Sequence, residues 1–169
     1  MTDTFRDGEI QGVIIRQLSK FIDERGWLAE FFRKDELQDG FFPAMGYISV
    51  TLPNVTRGPH EHESQTDLFC FLGPGEFKVT LWDNRKECQT FGNRMELFFG
   101  GSNPMSIIVP PGVVHGYRCI SQEPGWVVNC PDQLYKGQGR ALPVDEIRHE
   151  VDPKNPFVMD EIKRRTVTK

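Results

Sequence analysis

The sequence predicts an all-β chain, an antiparallel barrel or sandwich of the jelly-roll kind. Short apolar runs of strand length recur along most of it, and each is closed by a turn rich in Gly, Pro or Asn. Helical periodicity is nearly absent. Many strands at close spacing with few helices leave a closed or two-sheet antiparallel architecture as the way to bury one face of each strand.

In order, the strand-like runs are residues 12–18, 27–33, 46–52, 68–72, 76–82, 94–99, 105–109, 114–120 and 126–130. Between them sit Gly73-Pro74-Gly75, Asp83-Asn84, Gly100-Gly101-Ser102-Asn103-Pro104, Pro110-Pro111-Gly112 and Glu123-Pro124-Gly125. Gly and Asn tolerate positive φ and Pro presets φ near −65°, so these are turns with a mechanism. Residues 34–38 read as a turn or two of helix and 159–165 as a short C-terminal helix. From Tyr135 onward the pattern weakens into polar, proline-containing sequence that would wrap the barrel or cross to a partner subunit. With no repeat and no dividing linker, the expectation is one domain over 1–169, with its core at about 10–157 and a tail at 158–169.

A chain of 169 residues buries roughly 70% of the surface it would expose unfolded, so no staple is needed. Cys70, Cys88, Cys119 and Cys130 show no C-x-x-C spacing, and the N-terminus lacks a basic-then-apolar pattern. They read as reduced thiols of a cytoplasmic protein. The net charge of −4 argues against a nucleic-acid footprint, and no apolar run approaches the ~20 residues that span a bilayer. The basic ending through Lys169 reads as a solvated tail.

The chemistry concentrates in Thr56 to Asp67, T-R-G-P-H-E-H-E-S-Q-T-D. In a strand, residues i and i+2 share a face, so His60 and His62 would project into one space. Such a pair either holds a metal or supplies a proton-abstracting base. A second segment, Pro110-x-Gly112-x-x-His115, carries another histidine out of a turn. The two motifs together resemble those of cupins, small double-stranded β-helix barrels. In metal-binding cupins a carboxylate follows His-x-His; here Asp67, or less well Gln65, stands there, so the metal set would be His60, His62, His115 and Asp67. Three imidazoles and a carboxylate suit one divalent transition metal such as Fe(II), Mn(II), Ni(II) or Zn(II).

A longer series of motifs runs through the chain in one order. It comprises Asp23-x-Arg25-Gly26-Trp27-x-x-Glu30-Phe31, Arg57-Gly58-Pro59-His60, Trp82-Asp83-Asn84-Arg85 through Thr90-Phe91-Gly92, Pro110 to Tyr117, Tyr135 and Val151-Asp152-Pro153. Together these resemble the dTDP-4-dehydrorhamnose 3,5-epimerase family. The resemblance implies a cupin-type barrel, a homodimer, a nucleotide-diphosphate sugar as partner and no cofactor. It further implies His60 as general base, Asp152 as the carboxylate behind that imidazole and Tyr135 as the acid on the opposite sugar face. His115 would line the pocket, Arg57 and Arg25 would bind the diphosphate, Arg25 across the dimer interface, and Glu30 and Gln65 would complete the substrate-binding set.

Those residue types suit that reaction. A ketone at C4 acidifies the hydrogens on C3 and C5, and a neutral imidazole with a pKa near 7 can remove one. Phenol is neutral at pH 7 and can return a proton from the other face, while the guanidinium fork grips a pyrophosphate. Three positions depart from the family pattern. Asp67 stands where the family usually has a lysine that stabilises the enolate oxygen, His62 replaces a Gln, and Tyr47 replaces an Asn. Another group then supplies the positive charge, or Asp67 points away, or the chemistry has changed. Rival readings are a metal-dependent cupin enzyme and a catalytically silent sugar-nucleotide-binding module. His149 reads as a surface residue, and Trp82, closing an alternating strand, as core.

Overall fold

The computed structural model describes residues 5–159. Its strands are β1 (Arg6–Asp7), β2 (Ile14–Gln17), β3 (Phe21–Asp23), β4 (Gly26–Leu28), β5 (Tyr47–Thr51), β6 (Thr56–Glu61) and β7 (Asp67–Phe71). They continue with β8 (Glu76–Asp83), β9 (Asn93–Gly100), β10 (Met105–Val109), β11 (Val113–Cys119), β12 (Gly125–Asn129) and β13 (Ile147–Arg148). One sheet runs β1-β9-β8-β11-β6-β13, a second runs β2-β10-β7-β12-β5, and β3-β4 form a separate hairpin. Every pairing is antiparallel except that of β1 with β9. This is the jelly-roll barrel that the turn spacing predicts.

Alternation decides what lies between the sheets. Phe69 and Phe71 of β7, Phe77, Val79 and Leu81 of β8, and Val113 and Tyr117 of β11 point inward and form one core with Ile107 and Val127. Phe71, Phe77 and Tyr117 meet edge-on at centroid separations of 5.3–5.7 Å, contacts worth about 0.5–1.5 kcal/mol each beyond burial. The opposite parity builds two outer layers. Leu68, Cys70 and Ile108 pack under Ala29, Leu37 and Phe41 from the segment after β4. Trp82 and Val114 pack under Phe5, Phe157 and Met159, which confirms Trp82 as core.

The structure corrects three expectations. Residues 27–33 are extended only to Leu28, because nothing pairs with the rest. The short helical stretch at 34–38 is a single 3₁₀ turn, Lys34–Glu36. Thr56–Glu61 is a full strand that its Gly-Pro and charged residues conceal in the sequence. Pro59 is accommodated there because the β6–β11 register shifts between His115 and Tyr117, a break where a missing N–H is tolerated. The helix expected at 159–165 lies outside the described residues beyond Met159.

Candidate active site

Parity places β6 with His60 facing inward and Glu61 outward, against the outer strap that follows residue 141. His60 pairs with His115 across β6–β11, and their ring centroids are 4.5 Å apart. His62 continues beyond the strand end, 5.7 Å from His60 and 5.9 Å from His115. One ligand atom from each of the three lies within 4.8 Å of the others. Close packing here depends on Gly58 at φ +80°, since a Cβ on it would stand 2.6 Å from the His115 carbonyl and 3.1 Å from His60 Nδ1.

The cluster lies at one end of a cavity of about 1270 Å³ that opens between the sheets. Tyr47 and Ser49 of β5, Arg57 and His60 of β6, Asp67 of β7, Tyr117 of β11 and Asn129 of β12 line it. The segment after β12 closes it, contributing Tyr135, Arg140, Asp145, Glu146 and Arg148. His115, only 3% exposed, sits behind these residues.

Asp67 points inward, 1% exposed. Its Oδ1 accepts hydrogen bonds from Asn129 (2.8 Å) and Gln65 (3.0 Å), and its Oδ2 is 3.1 Å from His62 Nε2 and 3.5 Å from His115 Nε2. Asn129 also donates to the Tyr47 hydroxyl at 2.9 Å. Asp67 and Tyr47, two of the departures from the family pattern, are therefore joined through one amide. Burial alone would raise the Asp67 pKa, but His62, His115 and Asn129 outweigh it and keep the carboxylate ionised. Burial also opposes the charged form of His62, yet Asp67 and the Asp145 carbonyl on its Nδ1 carry its pKa above the usual value. His60 goes the other way: burial first, then His115 and His62 beside it, hold it down to about 2, so the ring is neutral and a weaker base than an ordinary imidazole. Burial pushes the Tyr47 hydroxyl up to about 12.

The carboxylate that faces His60 is Glu146, whose Oε1 is 3.9 Å from Nδ1. Arg148 anchors Glu146 through a 2.6 Å contact. Asp152 is exposed, and its side chain accepts from the Lys154 N–H at 2.9 Å in a local turn. The carboxylate expected from Asp152 is thus supplied six residues earlier. The sequence carries a faint signal for this, since Glu146 opens the alternating Glu-Ile-Arg whose Ile147 and Arg148 pair with Glu61 and His60.

Arg57 lines the cavity, braced by Thr51 Oγ1 at 3.0 Å and the Val50 carbonyl at 2.8 Å. Tyr135 and Gln65 also line the cavity. Arg25 and Glu30 are not brought to this cavity. Arg25 is exposed at the β3–β4 turn and bonded to Asp23, while Glu30 lies 3.7 Å from Arg33 beside a smaller depression. His149 is not a surface residue: it lies on the strap, its Nε2 is 2.9 Å from Glu61 Oε1 on the outward side of β6, and its ring packs on Phe157.

Sequence reasoning missed Asp145, whose carboxylate accepts from the N–H groups of Glu63 (2.8 Å), Ser64 (3.0 Å) and Gln65 (2.9 Å) and from the Ser64 hydroxyl (2.8 Å). It closes the turn that positions His62 and Gln65, a concave set of amides made for one anion.

The chain is 37% identical over 115 residues to the spore coat polysaccharide biosynthesis protein SpsL of Bacillus subtilis, covering 68% of this chain and 75% of that protein. It is 35% identical over 127 residues to the probable low-salt glycan biosynthesis epimerase Agl13 of Haloferax volcanii, covering 75% and 81%. Its fold superposes on the dTDP-6-deoxy-D-glucose-3,5-epimerase RmlC of Legionella pneumophila, solved in complex with dTDP-4-keto-L-rhamnose, with a TM-score of 0.72 over 90% of this chain and 81% of that one, at 22% identity. The family model for dTDP-4-dehydrorhamnose 3,5-epimerase matches residues 7–158. With nearly the whole described chain inside that match, the protein belongs to the dTDP-4-dehydrorhamnose 3,5-epimerase family of sugar isomerases.

Proposed function

We propose that the protein inverts C3, C5 or both in an NDP-4-keto-6-deoxyhexose. The observation that carries this reading is His60, held neutral and facing the Glu146 carboxylate in a cavity that Tyr135 also lines. The imidazole takes a proton from the carbon beside the C4 ketone, the electron pair moves to the ketone oxygen, and the tyrosine returns a proton from the other face. Glu146 favours the imidazolium while it exists, which the lone ring so close to His115 and His62 would otherwise oppose. Arg57 and Arg140 on the cavity wall suit the diphosphate. The Legionella complex with dTDP-4-keto-L-rhamnose supports this class of ligand. We also propose that the working unit is a homodimer in the cytoplasm, with Arg25 reaching the cavity of the second copy, since within one chain it reaches none.

Incubating the protein with dTDP-4-keto-6-deoxyglucose in D₂O tests the chemistry. Deuterium should enter at C3, C5 or both, and His60→Gln should slow it by about 100-fold or more, the usual value of a general base. Ligand binding without any exchange by the wild type would replace this reading with that of a silent sugar-nucleotide-binding module.

A further inference from the structure

Tautomers in the imidazole cluster are fixed from outside. His115 Nδ1 lies 3.0 Å from the Val113 carbonyl, and His62 Nδ1 bonds the Asp145 carbonyl. A carbonyl only accepts, so both Nδ1 atoms carry hydrogen, and in each neutral ring the lone pair is at Nε2. Both Nε2 atoms face Asp67 Oδ2, at 3.1 and 3.5 Å. Among the described residues, Asp67 Oδ2 and His115 Nε2 are buried without a hydrogen-bond partner. Gln65 Nε2 lies 3.1 Å from His62 Nε2, at the edge of this cluster. Two lone pairs and a carboxylate oxygen turned toward one point repel each other unless a proton or a metal ion lies between them, and a proton on His62 Nε2 would still leave His115 Nε2 without a partner.

We infer that His62 Nε2, His115 Nε2 and Asp67 Oδ2 form a binding site for one divalent first-row transition metal, open toward the cavity on its remaining side. Ligand atoms bonded at ~2.1 Å stand ~3.0–3.4 Å apart in octahedral or tetrahedral arrangements, close to the two separations from Asp67 Oδ2. Two imidazoles and a carboxylate on one face suit Fe(II), Mn(II), Co(II) or Zn(II). Both rings already donate their other N–H to backbone carbonyls, the outer support that metal-ligating histidines use. His60 stands beside the site with its Nδ1 turned to Glu146, and so remains a base.

For its role, though not for its binding, the metal rests on the epimerase reading. When bound, it supplies positive charge at the developing C4 oxygen, the charge that a lysine at the Asp67 position would otherwise bring. Asp67 then holds the charge on the metal instead of repelling the oxygen, and His62 is required because Gln cannot match imidazole as a ligand.

Titration with Co(II), followed by visible absorption and calorimetry on the chelator-stripped chain, tests the site without reference to turnover. The expected result is one Co(II) per chain, with affinity falling in Asp67→Asn and His62→Gln by more than the roughly 10–100-fold that loss of an outer partner costs. His60→Gln should keep the metal while losing deuterium exchange. Long-range ¹H–¹⁵N spectra of the folded apo and Co(II) or Zn(II) forms should show Nε2 of His62 and His115 as unprotonated and metal-perturbed. The inference is overturned by absence of stoichiometric binding with a proton on His62 Nε2, or by binding that survives Asp67→Asn, or by binding that depends on His60. Exchange that persists in protein carrying no metal would leave the epimerase reading standing and remove the metal from it.

Discussion

Asp83 shows how a single charge stabilises the barrel away from its site. Its side chain is fully buried, yet Arg85 donates to both oxygens at 2.8 Å and the Thr90 hydroxyl also donates to Oδ2. Burial would raise its pKa; the Arg85 and Thr90 bonds outweigh it and hold the carboxyl at about 2, below the usual 3.8. A depressed folded pKa contributes stability that is present above about pH 4 and is lost as pH falls toward 2, here about 2 kcal/mol. Denaturant melts from pH 5 to 2 should therefore show the advantage of wild type over Asp83→Asn shrinking by about that amount; a constant difference would place Asp83 outside the acid limb. The same residues formed part of the motif by which the family is legible in the sequence. Trp82-Asp83-Asn84-Arg85 is a structural corner, with Asn84 bonding Glu61 at 2.8 Å, and none of the four lines the cavity. Sequence order revealed that corner but not its purpose.

Among the elements, β6 and the strap after residue 141 make the site together, and they differ in how far the sequence betrays them. The His60–His62 alternation predicted a shared face, and the rings do share one. Glu146 left only a faint alternation in the sequence and Asp145 less, because their partners lie 80 or more positions upstream. Asp145→Ala should free three amides of the 63–65 turn. Hydrogen exchange at Ser64 and Gln65 should accelerate by about 30-fold, equivalent to about 2 kcal/mol, while amides of β8 stay protected. Unchanged exchange at those two amides would show that the turn holds itself.

Across the whole molecule, apolar surface is unevenly left over. Phe21, Ile22, Trp27 and Leu28 of the β3–β4 hairpin are all more than half exposed, as is Ile48, and Val50 and Trp126 are nearly so, on the open β5 edge of the second sheet. An isolated two-stranded hairpin is marginal in water, and an edge strand of this composition invites pairing. The proposed homodimer puts the two together. Sedimentation at micromolar concentration should report twice the 19.4 kDa chain for wild type and the single mass for Val50→Lys with an unchanged circular dichroism spectrum. A monomeric wild type would remove the second copy and, with it, the role of Arg25. The jelly-roll architecture was legible from turn spacing because each strand is short and closed locally. The partnership between surfaces was not, since exposure is a property of the assembled sheets.

The Asp145 grip on the 63–65 turn and the pairing of β13 with β6 also bear on the order in which the molecule comes into being. The strap's contacts reach back 80 or more residues, and contacts of such long sequence separation form slowly. The sheets that carry His60, His62, Asp67 and His115 can therefore pair first, and in that order of events the imidazoles stand open to solvent until the strap docks.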